Sequence, residues 1–440
     1  MSAPSNATAN TDIASAIAEA QARFTTANPN SQAQLEKASK VLPGGNTRTV
    51  LFYPPFPLTI TKGEGCHLWD LDGHQYIDFL GEYTAGLYGH SNPIIRAAID
   101  RALDNGIVMG GQNQAEAGLA GAIVERFPAI ERVRFTNSGT EANMMAVSAA
   151  RAFTKRPGVM VMSGGYHGSV FYFAPGGSPL NAPFPYVMGS YNDVDGCRAL
   201  IREQGTDLAC VIVEPMQGGG GCIQGTPEFL AMLREETENS GALLIFDEVM
   251  TSRLGPGGLQ GLTGVMPDLT SLGKYVGGGM SFGAFGGRAD IIDRFDPRRQ
   301  DAWPHAGTFN NNVLTMNAGL AGLSEIYTPD VAESFNARGD ILRQALNALA
   351  ERHGAAMQFI GRGSMMAVHF QRGQIRNVED AMTGRNELRP LLHMDLVAQG
   401  IYPAARGMFT LSLAHGEDAF AALEAAMDEF MISRGSLLGG

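Results

Sequence analysis

Apolar residues recur at helical spacing through IASAIAEAQARF, which predicts a helix over residues 12–26. From 41 to 79 that periodicity is lost, and prolines and glycines separate short strand-like pieces. Within them GEGCHLWDLDGHQYIDF alternates apolar and polar positions about Asp72-Gly73, the pattern of a β-hairpin. The middle of the chain changes character again, to unbroken apolar runs at 133–136, 159–162, 209–213 and 242–246. Helical stretches at 141–153 and 227–241 lie between them. Continuous apolar strands alternating with helices predict an α/β fold with a mostly parallel sheet covered on both faces. Ligands of such sheets bind beyond the carboxyl ends of the strands, so chemistry is expected just after 136, 162, 213 and 246.

Past residue 326 the pattern is different. Thr328 is a helix cap, Pro329 a first-turn proline and Gly354 a terminator, predicting one long helix between them. A last helix places Phe420, Leu423, Met427 and Phe430 on one face. The expected organisation is an N-terminal segment (1–75) that adds a strand or two to a smaller domain, a large domain (76–325) and a C-terminal small domain (326–440). Residues 1–11 are polar, with no basic segment and no apolar core, and read as a frayed terminus rather than a targeting signal.

Composition narrows the function. Only 17% of the 440 residues are charged, below the roughly 25% usual for soluble domains, so much surface is expected to be hidden, as in a subunit interface. Glycine is abundant at 56 residues, which implies tight turns and close backbone approaches such as surround a cofactor. The net charge of −12, with no long basic run, argues against nucleic acid as a partner. No apolar stretch approaches the length that spans a membrane. The four cysteines lack CxxC spacing and the histidines form no HExxH or HxH pair, so reduced thiols, a cytoplasmic location and no metal site are expected.

Four motifs carry chemistry. In TNSGTEANMMA (136–146), Ser138, Gly139 and Thr140 join a strand directly to a helix, placing N–H groups and hydroxyls where an anion such as phosphate binds. Alone, this is also an ordinary helix cap. GGYHGS leaves Tyr166 at a strand end, able to stack on a planar ligand. Asp247 ends a buried strand and needs a strong partner there, such as a cationic ring nitrogen or a metal. Its neighbour Glu248 is a candidate for a structural ion pair, and Glu214 ends another strand before a run of glycines. Lys274 stands alone among small and apolar residues, where burial makes a lysine a nucleophilic amine. It is not a nucleotide-binding lysine, because Asp268 and Tyr275 occupy the positions where that loop needs Gly and Ser/Thr. A phosphate cradle, a stacking ring, an acid and an isolated lysine are together the parts that pyridoxal 5′-phosphate requires.

SGTEA, YHG, VEPMQG, FDEVMTSR, SLGKYVGGGMSFGAFGGR and HAGTFNNN, in this order, resemble the class III aminotransferases of pyridoxal-phosphate fold type I. The branch is that of glutamate-1-semialdehyde aminomutase, and NTRTVLFYPPFPLT with FTNSGTEANMMA is similar to bacterial β-amino-acid (β-phenylalanine) aminotransferases. The resemblance implies a large domain with a seven-stranded sheet, a small α+β domain built from both termini, and a homodimer with its active site at the subunit interface. It implies that Lys274 holds the cofactor covalently and moves the proton, and that Asp247 pairs with the pyridinium nitrogen. Val249 and Tyr166 would cover the two ring faces, and Ser138, Gly139 and Thr140 would hold the phosphate. Thr308 would reach the phosphate of the neighbouring subunit, and Glu214 would lie near the cofactor's O3′ side or the substrate.

Specificity is expected to rest on two arginines. Arg48, amid Leu51, Phe52, Tyr53 and Phe56, suits a carboxylate whose chain carries a ring. Arg406 occupies the place of a mobile arginine for a keto acid's carboxylate. The implied reaction is ping-pong transfer from a β-amino acid to an acceptor such as 2-oxoglutarate. An aminomutase and an ω-amino-acid or amine aminotransferase are the alternatives. HAGTFNNNVLTMN and an acceptor arginine, which an isomerase does not need, favour the transaminase. A cofactor-free regulator on the same fold would be expected to lack Lys274 or Asp247, and a nicotinamide dehydrogenase would need a strand–GxGxxG–helix unit that the chain does not have.

Overall fold

Asp12 accepts a hydrogen bond from the Ser15 backbone N–H and so starts the first helix, Ile13–Ala27, which buries Ala16, Ala20 and Phe24. The structure is a computed structural model that describes residues 12–439, so the frayed terminus expected over 1–11 lies outside it. A second helix, Pro29–Ala38, buries only Ser31, which is why no apolar stripe announced it.

Strands β1 (Ile60–Glu64), β2 (His67–Asp70) and β3 (Gln75–Asp78) form an antiparallel meander, in which β2 and β3 are the expected hairpin. Asp70 shapes the turn at Asp72-Gly73 by accepting from the backbone of Asp72 and His74 and from the Tyr76 hydroxyl. The middle of the chain supplies β4 (Arg132–Thr136), β5 (Gly158–Met162), β6 (Tyr186–Gly189), β7 (Leu208–Val213), a short β8 (Met216–Gln217) and β9 (Ile223–Gln224) pair, β10 (Leu243–Asp247), β11 (Leu269–Gly273) and β12 (Gly283–Gly287). The last third adds β13 (Gln358–Arg362), β14 (Met365–His369), β15 (Ile401–Tyr402) and β16 (Met408–Thr410). β15 pairs in parallel with β3 through Ile401 and Ile77, so one four-stranded sheet is built from both halves of the chain.

The central sheet has seven strands in the order β4-β12-β11-β10-β7-β5-β6. β12 is antiparallel to both neighbours and the other pairings are parallel. This is the mostly parallel α/β architecture expected. Alternation along the strands feeds two separate cores. Val159, Val161, Leu243 and Ile245 pack with Ala142, Ala146 and Val147 of the helix Gly139–Thr154. Met160, Met162, Leu244 and Phe246 pack with Phe229, Leu230 and Leu233 of the helix Pro227–Ser240 on the other face.

β12 is Gly-Ala-Phe-Gly-Gly, a sequence of poor strand propensity. A Cβ at Gly283 would lie 2.1 Å from the Ser138 carbonyl oxygen, and one at Gly286 would lie 2.5 Å from that of Arg132. The glycines are there because neighbouring backbone occupies the space of a side chain. The long helix begins at Pro329 with Thr328 as its cap and ends at Arg352, with Gly354 in a left-handed conformation just beyond. The helix Glu417–Ser433 buries Phe420, Leu423, Met427 and Phe430, as their spacing predicts. No described helix is long and apolar enough to cross a membrane, and all four cysteines are buried and free.

Candidate active site

The expected chemistry does gather at the carboxyl ends of the central strands. After β4, Ser138 caps the helix Gly139–Thr154: the Glu141 N–H donates to Ser138 Oγ at 3.2 Å, while the Glu141 carboxylate reaches back to the Asn137 N–H at 2.6 Å. Gly139 and Thr140 occupy the first helical positions, where N–H groups have no partner within the helix. Val249 packs directly on Gly139, since a Cβ there would meet its methyl groups at 2.9 Å, and it also abuts Gly273 before Lys274. Thr140 packs under Gly168 in the same way.

Asp247 is the last residue of β10 and is buried. Its Oδ2 lies 2.8 Å from His167 Nδ1 and accepts from Asn143 Nδ2 at 2.8 Å, and its Oδ1 accepts from the Val249 N–H at 3.0 Å. Burial works against a charged His167, but the hydrogen bond and charge of Asp247, with Glu214 beyond, prevail and hold it above its ordinary value. Asp247 Oδ1, bonded only to the Val249 N–H among the described residues, can still accept from a protonated ring nitrogen. Asn143 and His167 are functional positions that the sequence reading did not assign. His167 was visible only as the neighbour of Tyr166. Glu248, expected as a candidate ion pair, makes none among the described residues. It accepts from the N–H groups of Leu259 and Gln260, the Gln260 side chain and the Thr251 hydroxyl, and is a buried structural acceptor.

Glu214 follows β7, buried, and accepts from the N–H groups of Tyr166 at 3.0 Å and Gly218 at 2.9 Å. Burial foremost, with the Asp247 charge adding to it, pushes this carboxyl up to about 7. The Tyr166 ring is 45% exposed and stands edge-on to Tyr172 at 5.6 Å, so one face is open to a ligand. Lys274 follows β11 with φ +57, a left-handed backbone that a non-glycine residue adopts only when its surroundings impose it. Burial first, and then the positive charges of Arg406 and Arg48, pull its amine down to about 8 against the opposing pull of Asp247 and Glu214.

Arg48 and Arg406 reach this site from distant parts of the chain. The aromatic surroundings expected for Arg48 are not those its sequence neighbours suggest. Tyr53 and Phe56 turn into the core against Phe24, and Tyr53 also meets His393. Arg48 instead forms an ion pair with Glu82. Arg406 lies over the Tyr83 ring, 4.6 Å from its centroid, donates to Met408 Sδ and has no carboxylate partner among the described residues. Its Nε is buried and unpartnered. The turn that bears it is closed by Ala404 N–H to the Met408 carbonyl, 3.1 Å, and Gly407 N–H to the Ala404 carbonyl, 2.8 Å.

Glu82 and Tyr83 belong to a run of left-handed residues, Gly81, Glu82, Tyr83 and Thr84, three of which are not glycine. Each such residue carries strain of order 1–3 kcal/mol. Asp78 Oδ1 pins the start by accepting from the Leu80 and Gly81 N–H groups. The end is held by Arg253, a fully buried guanidinium that donates to the carbonyls of Thr84 and Leu411 and to the Ser364 hydroxyl. Neither Arg253 nor this run was singled out from the sequence.

Thr308 is exposed on a loop whose Asn310 accepts from Asn137. That loop closes one side of a cleft of about 370 Å³ lined also by Thr136, Thr140 and Glu141. Asn311 ties it to the 106–113 segment through hydrogen bonds with Gly111 and Asn113.

Comparison with known proteins accords with this geometry. Residues 52–412 match the family model "Aminotransferase class-III". The chain is 52% identical over 428 residues, 97% of each protein, to a β-phenylalanine transaminase of Variovorax paradoxus. It is 37% identical over 410 residues, 89% of this chain and 93% of the other, to a glutamate-1-semialdehyde 2,1-aminomutase of Sorangium cellulosum. A crystal structure described as a β-phenylalanine aminotransferase from Variovorax paradoxus superposes with a TM-score of 0.96, covering 97% of this chain and 99% of that one at 52% identity. A strand-end lysine, a buried acid and a helix N-terminus, in a chain matching the family over most of its length, make this a class III aminotransferase, a pyridoxal 5′-phosphate enzyme of fold type I.

Proposed function

We propose that this enzyme moves the amino group of an aromatic, β-phenylalanine-like β-amino acid to 2-oxoglutarate or another keto acid in a ping-pong cycle. The observation that carries the reading is that Arg48 and Arg406 meet adjacent residues of one turn, Arg48 pairing with Glu82 and Arg406 lying over the Tyr83 ring. One site must take a donor with one carboxylate and a ring, then a dicarboxylic acceptor. Two guanidiniums, one half-exposed and one on an aromatic face, are suited to that exchange. The 52% identity with a β-phenylalanine transaminase supports the same reading.

The residues present fit the cofactor. Asp247 keeps acceptor capacity on Oδ1, and the Gly139–Thr140 helix start offers N–H donors with no carboxylate turned toward them other than the capping Glu141. Ser138, Gly139 and Thr140 would hold the phosphate with Thr308 of a neighbouring subunit, Asp247 the pyridinium nitrogen, and Val249 and Tyr166 the ring faces, with Glu214 at the O3′ side. Bound there, pyridoxal 5′-phosphate supplies an electron sink for the carbanion left when the amine-bearing carbon loses its proton. Lys274 takes that proton and returns it, and an amine near 8 can do both at neutral pH. Arg48 holds the donor's carboxylate, Arg406 the acceptor's, and His167 and Asn143 hold Asp247 in place.

The same reading makes the enzyme a homodimer of the cytoplasm. Val108 and Met109 on one loop and Phe309 on the adjoining one are 79%, 52% and 58% exposed, an apolar surface suited to a second subunit that would bring Thr308 across. The four free cysteines suit a reducing compartment.

The test is a single-turnover absorbance experiment on the cofactor-loaded enzyme. Racemic β-phenylalanine without acceptor should convert the pyridoxal form of the cofactor to the pyridoxamine form, and 2-oxoglutarate should restore it. No conversion, with turnover of glutamate-1-semialdehyde instead, would place the enzyme with the aminomutases.

A further inference from the structure

We propose that Glu82 is a carboxylate built into the substrate site, which occupies Arg48 between turnovers and must be displaced by each incoming carboxylate. The proposal rests on the reading of Arg48 as the donor's carboxylate site, and goes beyond it by naming the group that competes there.

The argument starts from the backbone. An exposed ion pair needs no special conformation, yet Glu82 sits inside three consecutive left-handed non-glycine residues. Such a run persists only where its surroundings over-determine it, and here they do. Asp78 fixes the entry, Arg253 fixes the Thr84 carbonyl, and the Tyr83 hydroxyl donates to the Val50 carbonyl two residues from Arg48. The result is that adjacent residues of one rigid turn address the two arginines, Glu82 meeting Arg48 and Tyr83 lying under Arg406. Tyr83 offers a ring face, which leaves the Arg406 charge available. Glu82 offers a carboxylate, which does not leave Arg48 available.

The Glu82 side chain is 49% exposed, so once displaced it swings into water rather than into the core. An incoming carboxylate therefore exchanges one ion pair for another, and its net affinity is lowered by the strength of the pair it breaks. After the reaction Glu82 returns to Arg48 and helps the product acid leave. Tight ground-state binding does not raise turnover, so a competitor of this kind favours release at little expense to the chemical step.

The test uses the cofactor-loaded enzyme and 3-phenylpropanoate, which has the ring and carboxylate but no amine and cannot react. Its Kd by calorimetry should fall about fivefold in Glu82→Gln, the worth of one exposed ion pair of about 1 kcal/mol. KM for β-phenylalanine should fall by a similar factor while KM for the carboxylate-free 1-phenylethylamine does not fall. Glu82→Gly, which also relieves the left-handed backbone, should tighten the probe as well. In an Arg48→Met background the Glu82→Gln effect should vanish. If Arg48→Met leaves probe binding unchanged, the reading of Arg48 fails and this proposal with it. If Arg48→Met weakens the probe while both Glu82 variants leave it unchanged or weaker, Arg48 keeps its role and Glu82 is overturned as its competitor.

Discussion

His167 Nδ1 and Asp247 Oδ2 stand 2.8 Å apart in a space almost sealed from solvent. Asn143 bridges the pair, donating from the same Nδ2 to Asp247 Oδ2 and to the His167 carbonyl. A carboxylate at the end of a buried strand is thus supplied with an imidazole held toward its charged form and with an amide. Breaking such a pair by removing one partner costs about 3–5 kcal/mol.

Asp247→Asn should therefore destabilise the cofactor-free protein as well as abolish turnover. The sign with pH follows from the raised value of His167. Its contribution is fully present below the ordinary histidine range and is lost as pH rises through the folded value. The gap in unfolding free energy between wild type and Asp247→Asn should be widest near pH 6 and narrow toward pH 9, measured by urea titration at each pH. A gap that stays flat across this range would show that His167 is neutral in the folded state.

Lys274 offers a second test through its amine. The neutral amine is the nucleophile, so the rate at which apoprotein takes up pyridoxal 5′-phosphate should rise with pH and reach half its maximum near pH 8. Arg406→Met removes the larger of the two neighbouring charges that depress the amine, and should move that midpoint upward. Lys274→Ala should lower kcat by about 10⁴-fold or more, since Lys274 is the group proposed to carry the proton. Stopped-flow absorbance measures the first two effects and steady-state rates the third.

Glu214 is raised to about 7, so the folded protein prefers it protonated and loses stability as pH climbs from about 4.5 to about 7. Glu214→Gln lacks that slope. Its melting temperature relative to wild type should rise between pH 5 and pH 8, with the relative change in stability bounded by about 3 kcal/mol. A flat difference across that range would mean that Glu214 is ionised throughout.

Arg253 places a charge in the interior with carbonyl and hydroxyl acceptors and no carboxylate partner among the described residues. Arg253→Met strands three acceptors at once, and should cost at least about 2 kcal/mol in chemical denaturation. Arg253→Lys should recover only part of the loss, because one ammonium cannot match the planar spread of a guanidinium across Ser364, Thr84 and Leu411. The effect should extend to substrate KM, since the Thr84 carbonyl anchors the turn that bears Glu82 and Tyr83.

Much of this site was legible in the sequence because apolar runs mark buried strands and the chemistry follows directly on their ends. Ser138, Tyr166, Glu214 and Asp247 each stand at or just past such an end, whereas Lys274 follows β11, which has no such run. β11 and β12 escaped notice because they lack the mark. β11 carries Thr270 and Ser271 at fully buried positions, and β12 is mostly glycine because backbone crowds it from both sides. Asn143 and His167 are separated from Asp247 by 104 and 80 residues, and nothing in their own neighbourhoods announces a buried ion pair. The surroundings of Arg48 were misjudged for the opposite reason. Nearness along the chain suggested Tyr53 and Phe56, whose rings are drawn into the core against Phe24, while its actual partner comes from a turn whose Glu-Tyr-Thr sequence gives no sign of positive φ.

The turn carrying Arg406 has a kinetic consequence. Its backbone is clamped between Ala404 and Met408 and again between Gly407 and Ala404, and strands on either side tie it to sheets at both ends of the chain. These bonds restrain the backbone at 406 and leave the side-chain torsions of the arginine as its freer coordinates. In the proposed reading, switching from an apolar donor to a dicarboxylic acceptor would be a side-chain rearrangement rather than a movement of the fold. Side-chain rearrangement is fast against catalytic cycles of about a millisecond to a second, so alternation between the two acids would set no speed limit on the enzyme.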